Sequence, residues 1–109
     1  MDKKEFKKSN IFCFEKSINY SENAIVSKTV IKRETGNVSL FAFDKGEGLS
    51  EHTAPFDALI QIIDGKAEVL INKESYFLET MDSIIMPANI PHAVKANERF
   101  KMILTMIKG

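Results

Sequence analysis

Cysteine, tryptophan and histidine are scarce in this sequence. One cysteine, Cys13, stands among 109 residues, there is no tryptophan, and the only two histidines are His52 and His92. A single thiol excludes an intrachain disulfide and fits a reducing compartment. Three prolines and five glycines are too few for a collagen-like chain or a Pro/Gly-rich linker. Charge of one sign is missing too: fifteen basic and fifteen acidic residues give a formal net charge of zero. Nucleic acid and anionic membrane therefore have no electrostatic claim as partners. Long apolar runs are absent. The stretch Ile11 to Phe14 ends at Glu15-Lys16, short of the ~7–15 apolar residues of a secretory signal and the ~18 of a membrane span. The expectation is a soluble, cytoplasmic protein. No G-x-G-x-x-G, P-loop, C-x-x-C or nucleophile elbow occurs, so the common phosphate, zinc-ribbon and hydrolase signatures are excluded.

What remains is a chain with an ordinary apolar share of 44%, enough for the core of one domain. Residues 1–10 are charged and expected to fray. From residue 24 onward, short apolar and β-branched runs alternate with turn residues. Ala24 to Arg33 is followed by the turn Glu34-Thr35-Gly36-Asn37, and Val38 to Phe43 by a loop around Gly46 and Gly48. Leu59 to Ile63 runs into Asp64-Gly65, a hairpin signal with Ala67 to Ile71 as the return strand. Asn72 to Ser75 reads as another tight turn, and Tyr76 to Leu78, Ser83 to Met86, His92 to Lys95 and Phe100 to Ile107 complete the series of strands. Strands at this spacing predict an all-β sandwich or jelly-roll barrel. No window supports a three-turn amphipathic helix; the best helical candidate is a short turn near Glu15 to Asn19.

His52 is expected to open a strand after the glycine loop, and His92 to open another after Pro91. If the Pro55-Phe56 bend keeps register, residues 52, 54, 58, 60 and 62 share one face and Gln61 faces out. Asp57 has two readings, a turn residue bonded to its own backbone or a carboxylate offered to the site. Cys13 reads as a small hydrophobe packed in the N-terminal apolar segment.

The residues from Gly46 to Ala96 carry a further pattern. Gly46, His52, Ala54, Ala58 and Gly65 fall on the spacing G-x5-H-x-H-x3-E-x6-G. Met81, Pro87, Asn89, His92 and Ala96 fall on G-x5-P-x-G-x2-H-x3-N. Both registers hold without insertion or deletion. In these motifs the chain resembles the small single-domain cupins over roughly residues 36–107. The resemblance implies a cupin double-stranded β-helix, a jelly-roll barrel with a short helix or none, occupying residues 21–109. Residues 1–20 would form an N-terminal segment that a homodimer could exchange as a strand.

The resemblance also implies that His52 and His92 face the barrel interior. Ala54 and Ala58 stand where the family has a histidine and a glutamate, and alanine has no lone pair to give a metal. The cofactor expectation is accordingly none, or at most a weakly held divalent metal at His52 and His92. Catalytic residues are not identified. The expected ligand-binding set is His52, His92, Ala54, Ala58, Ile60, Met86 and Met102, an apolar pocket with two imidazoles. It suits a small molecule with a carboxylate, hydroxyl or carbonyl head and an apolar body. The alternative is a metal-dependent cupin enzyme of dioxygenase or isomerase type using a weak site at the same histidines, and a structural or partner-binding role is the third reading.

Overall fold

A computed structural model describes residues 5–108. Nine strands and one 3-10 turn, Phe14–Lys16, make up the regular structure. The strands are β1 Ile25–Arg33, β2 Gly36–Phe43, β3 Gly48–His52, β4 Asp57–Gly65, β5 Ala67–Ile71, β6 Glu74–Leu78, β7 Ser83–Met86, β8 His92–Lys95 and β9 Phe100–Ile107. They form two antiparallel sheets of order β1-β2-β9-β4-β7 and β3-β8-β5-β6. The all-β jelly roll expected from strand spacing is the fold observed. The helical turn is shorter than expected and lies slightly earlier in the chain.

Three local expectations change. The Gly46/Gly48 loop is half strand: β3 runs from Gly48 and closes, rather than opens, at His52. A Cβ on Gly48 would lie 2.5 Å from the Val94 carbonyl oxygen, so this glycine permits close pairing of β3 with β8 instead of marking a loop. Asp64-Gly65 does not make a hairpin. Gly65, at φ +81°, pairs with Phe100 of β9, and the chain then crosses into the other sheet, where β5 pairs with β6 and β8. A side chain at Gly65 would strike the Arg99 carbonyl oxygen, so no other residue fits that crossing. The two-residue hairpin is Asn72-Lys73 between β5 and β6, with φ of 52° and 69°, the left-handed pair that matches strand twist.

The inward faces of the two sheets meet in one core. At one end Phe43 and Phe100, register partners on β2 and β9, stack at 4.6 Å and 16°. Ile60, Ile62, Val69 and Leu78 pack around them, all buried. Strand alternation continues this face toward the other end as Met102, Leu104 and Met106 of β9 and Ala58 of β4. There the filling is smaller, and space remains.

The N-terminal segment is not frayed over its described part. Ile18 is buried, and Phe6, Phe14 and Tyr20 pack with it on Val30, Leu40, Ala42 and Ile103. These residues form the outer face of the five-stranded sheet in the same chain. Lys101, buried on that face, donates to the Glu15 carbonyl oxygen at 2.6 Å and lies 3.3 Å from the Glu15 carboxylate. The Tyr20 hydroxyl donates to Asp64; burial, then that carboxylate, hold the phenol above its ordinary pKa. Residues 1–4 of the stretch expected to fray lie outside the described residues. Cys13, expected to pack as a hydrophobe, is exposed.

Candidate functional site

His52 ends β3 and His92 begins β8, and the two are direct register partners in the antiparallel ladder. Partners of this kind place their Cβ atoms ~4.5–5.5 Å apart on one face. The imidazoles meet with ring centroids 4.4 Å apart and planes at 73°. Their Nε2 atoms are 3.2 Å apart. Each Nδ1 faces a backbone carbonyl two residues back: Ser50 at 2.7 Å for His52, Ile90 at 3.1 Å for His92. His92 is buried and His52 exposed, so the pair spans the mouth of the barrel. Burial pushes the His92 imidazole below the ordinary histidine range. Its carbonyl partner raises it again, and His52 adds a further lowering.

Beneath the pair lies a cavity of about 50 Å³. Its walls include all seven residues expected from the sequence: His52, His92, Ala54, Ala58, Ile60, Met86 and Met102. They do not come from one alternating run. His52 belongs to the four-stranded sheet, Ala58 and Ile60 to the five-stranded one, and Ala54 to the segment between them. They converge because the sheets face each other. Four further wall residues, Leu49, Val94, Leu104 and Met106, lie outside that expected set. Alternation from His92 reaches Val94, and from Met102 reaches Leu104 and Met106. Leu49 had no such signal, because the register shifts between Leu49 and His52 and turns both residues inward.

Asp57 follows neither of its two readings. Its Oδ1 accepts from the backbone N–H of Ala88 at 2.8 Å. It therefore fastens the start of β4 to the loop that delivers His92. The same loop is held by the Asn89 N–H, which donates to the Ala54 carbonyl oxygen at 2.7 Å. Gln61 is half-buried between inward Ile60 and Ile62, on the opposite face as expected.

Residues 39–108 match the family described as Cupin domain. The chain is a member of the cupin family. Among solved structures it is similar to a conserved protein of unknown function from Streptococcus pyogenes, at 30% identity and a TM-score of 0.92, covering 100% of this chain and 96% of that one. A cupin 2 conserved barrel domain protein from Leptotrichia buccalis is 37% identical with a TM-score of 0.84, over 86% of this chain and 46% of that one. The cupin therefore spans about half the length of that relative. A cupin superfamily protein from Desulfitobacterium hafniense is 26% identical with a TM-score of 0.90, both chains being covered in full. No curated protein matches the sequence.

Membership raises the question of a metal. The 3.2 Å between the two Nε2 atoms suits two donors to one ion at ~2.0–2.1 Å from each. The remaining donors are not there. Ala54 and Ala58 present methyl groups to the cavity, and among the described residues no three His, Cys, Asp or Glu side chains form a group that could hold a metal ion. The side chains of this cupin do not fit a complete metal site. Among the described residues no helix is long and apolar enough to cross a membrane.

Proposed function

We propose that this cupin binds a small molecule in the barrel, with the polar head at His52 and His92 and an apolar part in the cavity behind them, and that it does so without strong metal catalysis. One observation carries this reading: the two histidines of the chain meet over a single cavity whose other walls are alanine, isoleucine, leucine, valine and methionine. Apolar walls with a few convergent polar groups are the usual make-up of a small-molecule site. The cavity also limits the ligand. A dry engineered cavity that admits benzene measures ~150 Å³, against about 50 Å³ here. The inserted part is therefore a short aliphatic group, and any ring stays at the mouth beside exposed His52.

A ligand that binds the native state raises the melting temperature by mass action. A thermal-shift screen of short-chain alcohols, amines, acids and sugars tests the reading, run on the wild type and on His52→Ala and His92→Ala. Stabilisation that disappears in both variants supports it; stabilisation indifferent to both rejects it. The second reading, a metal-dependent cupin enzyme, draws support from the convergence of the two Nε2 atoms. Metal analysis of protein purified without a histidine tag separates the two.

A further inference from the structure

We infer that the His52–His92 pair is a double acceptor, and that the head group it takes is a hydrogen-bond donor, a hydroxyl or a primary ammonium, rather than a carboxylate or carbonyl. This deepens the reading just given and rests on it. The inference follows from where the imidazole protons are. The Ser50 carbonyl oxygen lies 2.7 Å from Nδ1 of His52 and the Ile90 carbonyl oxygen 3.1 Å from Nδ1 of His92. A carbonyl oxygen has no proton to give, so each contact is a hydrogen bond only when the ring nitrogen carries one. A neutral imidazole has a single N–H. Two neutral rings carry two protons for three contacts, the two carbonyls and the 3.2 Å Nε2–Nε2 approach; the carbonyl contacts are the shorter and take both, which leaves a lone pair on each Nε2.

Those two lone-pair atoms are 3.2 Å apart. Two facing lone pairs at that distance repel, and a donor placed between them relieves both. His92 is only 5% exposed, so bulk water relieves little of this. No donor side chain among the cavity walls reaches in: apart from the two histidines every wall residue is apolar. Lys73, which lines a neighbouring pocket with His92, is paired with Glu51 at 3.2 Å. The partner that suits this arrangement is a donor placed between the two Nε2 atoms. A carboxylate, ketone or ether oxygen would bring a further lone pair. A hydroxyl brings one proton and an ammonium three, and the alkyl chain behind either fits beside Ala58, Ile60, Met86 and Met102.

The test uses the full chain after chelator treatment, at about pH 8.5, above the histidine range. Nitrogen-15 spectra of the imidazoles read the tautomers directly, without any substitution. Carbon-13 spectra of the methionine methyls then follow titrations with 1-propanol, propylammonium chloride, acetone and sodium propanoate. The expected result is Nδ1–H on both rings, with propanol or propylammonium shifting Met86, Met102 and Met106 and binding at least about tenfold tighter than acetone or propanoate, a difference of about 1.4 kcal/mol. The propanol and ammonium arms tell a neutral donor from a charged one, and a response to either supports the inference. A proton found on Nε2 of either ring overturns it. So does equal binding of acetone or propanoate, which would leave the cavity as the ligand site. If no probe shifts the methionine methyls, both the donor inference and the binding site fall.

Discussion

Asp57 and Ala88 are 31 positions apart in the sequence, yet the Asp57 carboxylate accepts the Ala88 backbone N–H at 2.8 Å. The bond ties the first motif to the second. Ala88 lies in the loop between β7 and β8 that turns into His92, while Asp57 opens β4 beside Ala58. A carboxylate bonded to a backbone N–H contributes about 1.5–3 kcal/mol, less where solvent competes as it does here. Asp57→Ala should lower stability by about 1 kcal/mol and speed hydrogen exchange at Ala88, with Asp57→Asn intermediate. Unchanged exchange at Ala88 in the alanine variant would show that the bond does not hold the loop.

A second prediction concerns Met81, which stands at the glycine position of the second motif. It is exposed and adopts φ +80°, a conformation that L side chains pay for sterically at about 1–2 kcal/mol. The conformation is imposed by the tight connection into β7, where the Met81 N–H donates to the Ile62 carbonyl oxygen at 2.6 Å. Met81→Gly should stabilise the fold by up to about 1 kcal/mol, glycine's extra unfolded-state entropy offsetting part of the relief. Urea denaturation reads this, and a lower midpoint would mean that the methionine side chain makes contacts worth more than the strain.

The pH dependence of stability follows from His92. Its folded pKa lies below its ordinary value because of burial, so the unfolded state binds more protons across the histidine range. Stability is therefore fully present above the unfolded pKa of about 6.5 and declines as pH falls through the lower folded value. Denaturation midpoints compared between about pH 8 and pH 5.5 should fall on the acid side, and fall less in His92→Gln. The opposite slope in this window would place a stabilised imidazolium at the mouth instead.

The spacing of the two motifs made the site legible while the path of the chain was not. His52, Ala54, Ala58 and His92 could be placed in the interior from sequence because a register without gaps carries them together. The strand that holds His52 was hidden, since Gly48 looks like a loop residue until the Val94 carbonyl beside it is seen. Gly65 looked like a hairpin because a left-handed glycine serves equally to reverse a chain or to move it between sheets, and only its neighbour Phe100 distinguishes them. Asp57 was opaque because its partner is remote in sequence. The cover formed by Phe6, Phe14 and Ile18 was missed because charged neighbours mask an apolar set that is irregularly spaced.

That cover is incomplete, and self-association should finish it. The strap lies over β1, β2 and β9, but Ile85 and Ile107 on the same outer face remain exposed, as do Ile11 and Phe12 of the strap itself. Phe12 meets Phe6 and Phe14 edge-on at 4.7 and 5.0 Å, an aromatic cluster open on one side. We expect a homodimer that buries these residues, whether by docking the strap or by exchanging it. Deleting residues 1–20 should reduce both stability and dimer content. Light scattering at micromolar concentration checks this, and a monomeric full-length protein would refute it.

The last prediction restores what the two alanines removed. Ala58 faces the cavity from β4 and Ala54 reaches it from the segment after β3, while His52 and His92 already place two nitrogens 3.2 Å apart. Replacing Ala54 by His and Ala58 by Glu would supply the third and fourth donors on the motif spacing. The cavity of about 50 Å³ takes part of the added volume, and the open mouth beside His52 takes the rest. Nδ1 of both resident histidines is already bonded to backbone carbonyls, the arrangement that aims Nε2 at a metal and fixes its tautomer. The double variant should therefore bind zinc or nickel more tightly than wild type by about tenfold or more, about 1.4 kcal/mol, when titrated against a competing chelator. Adding His92→Ala to the double variant should remove the gain. A folded double variant with wild-type affinity would show that these four positions do not converge on one point.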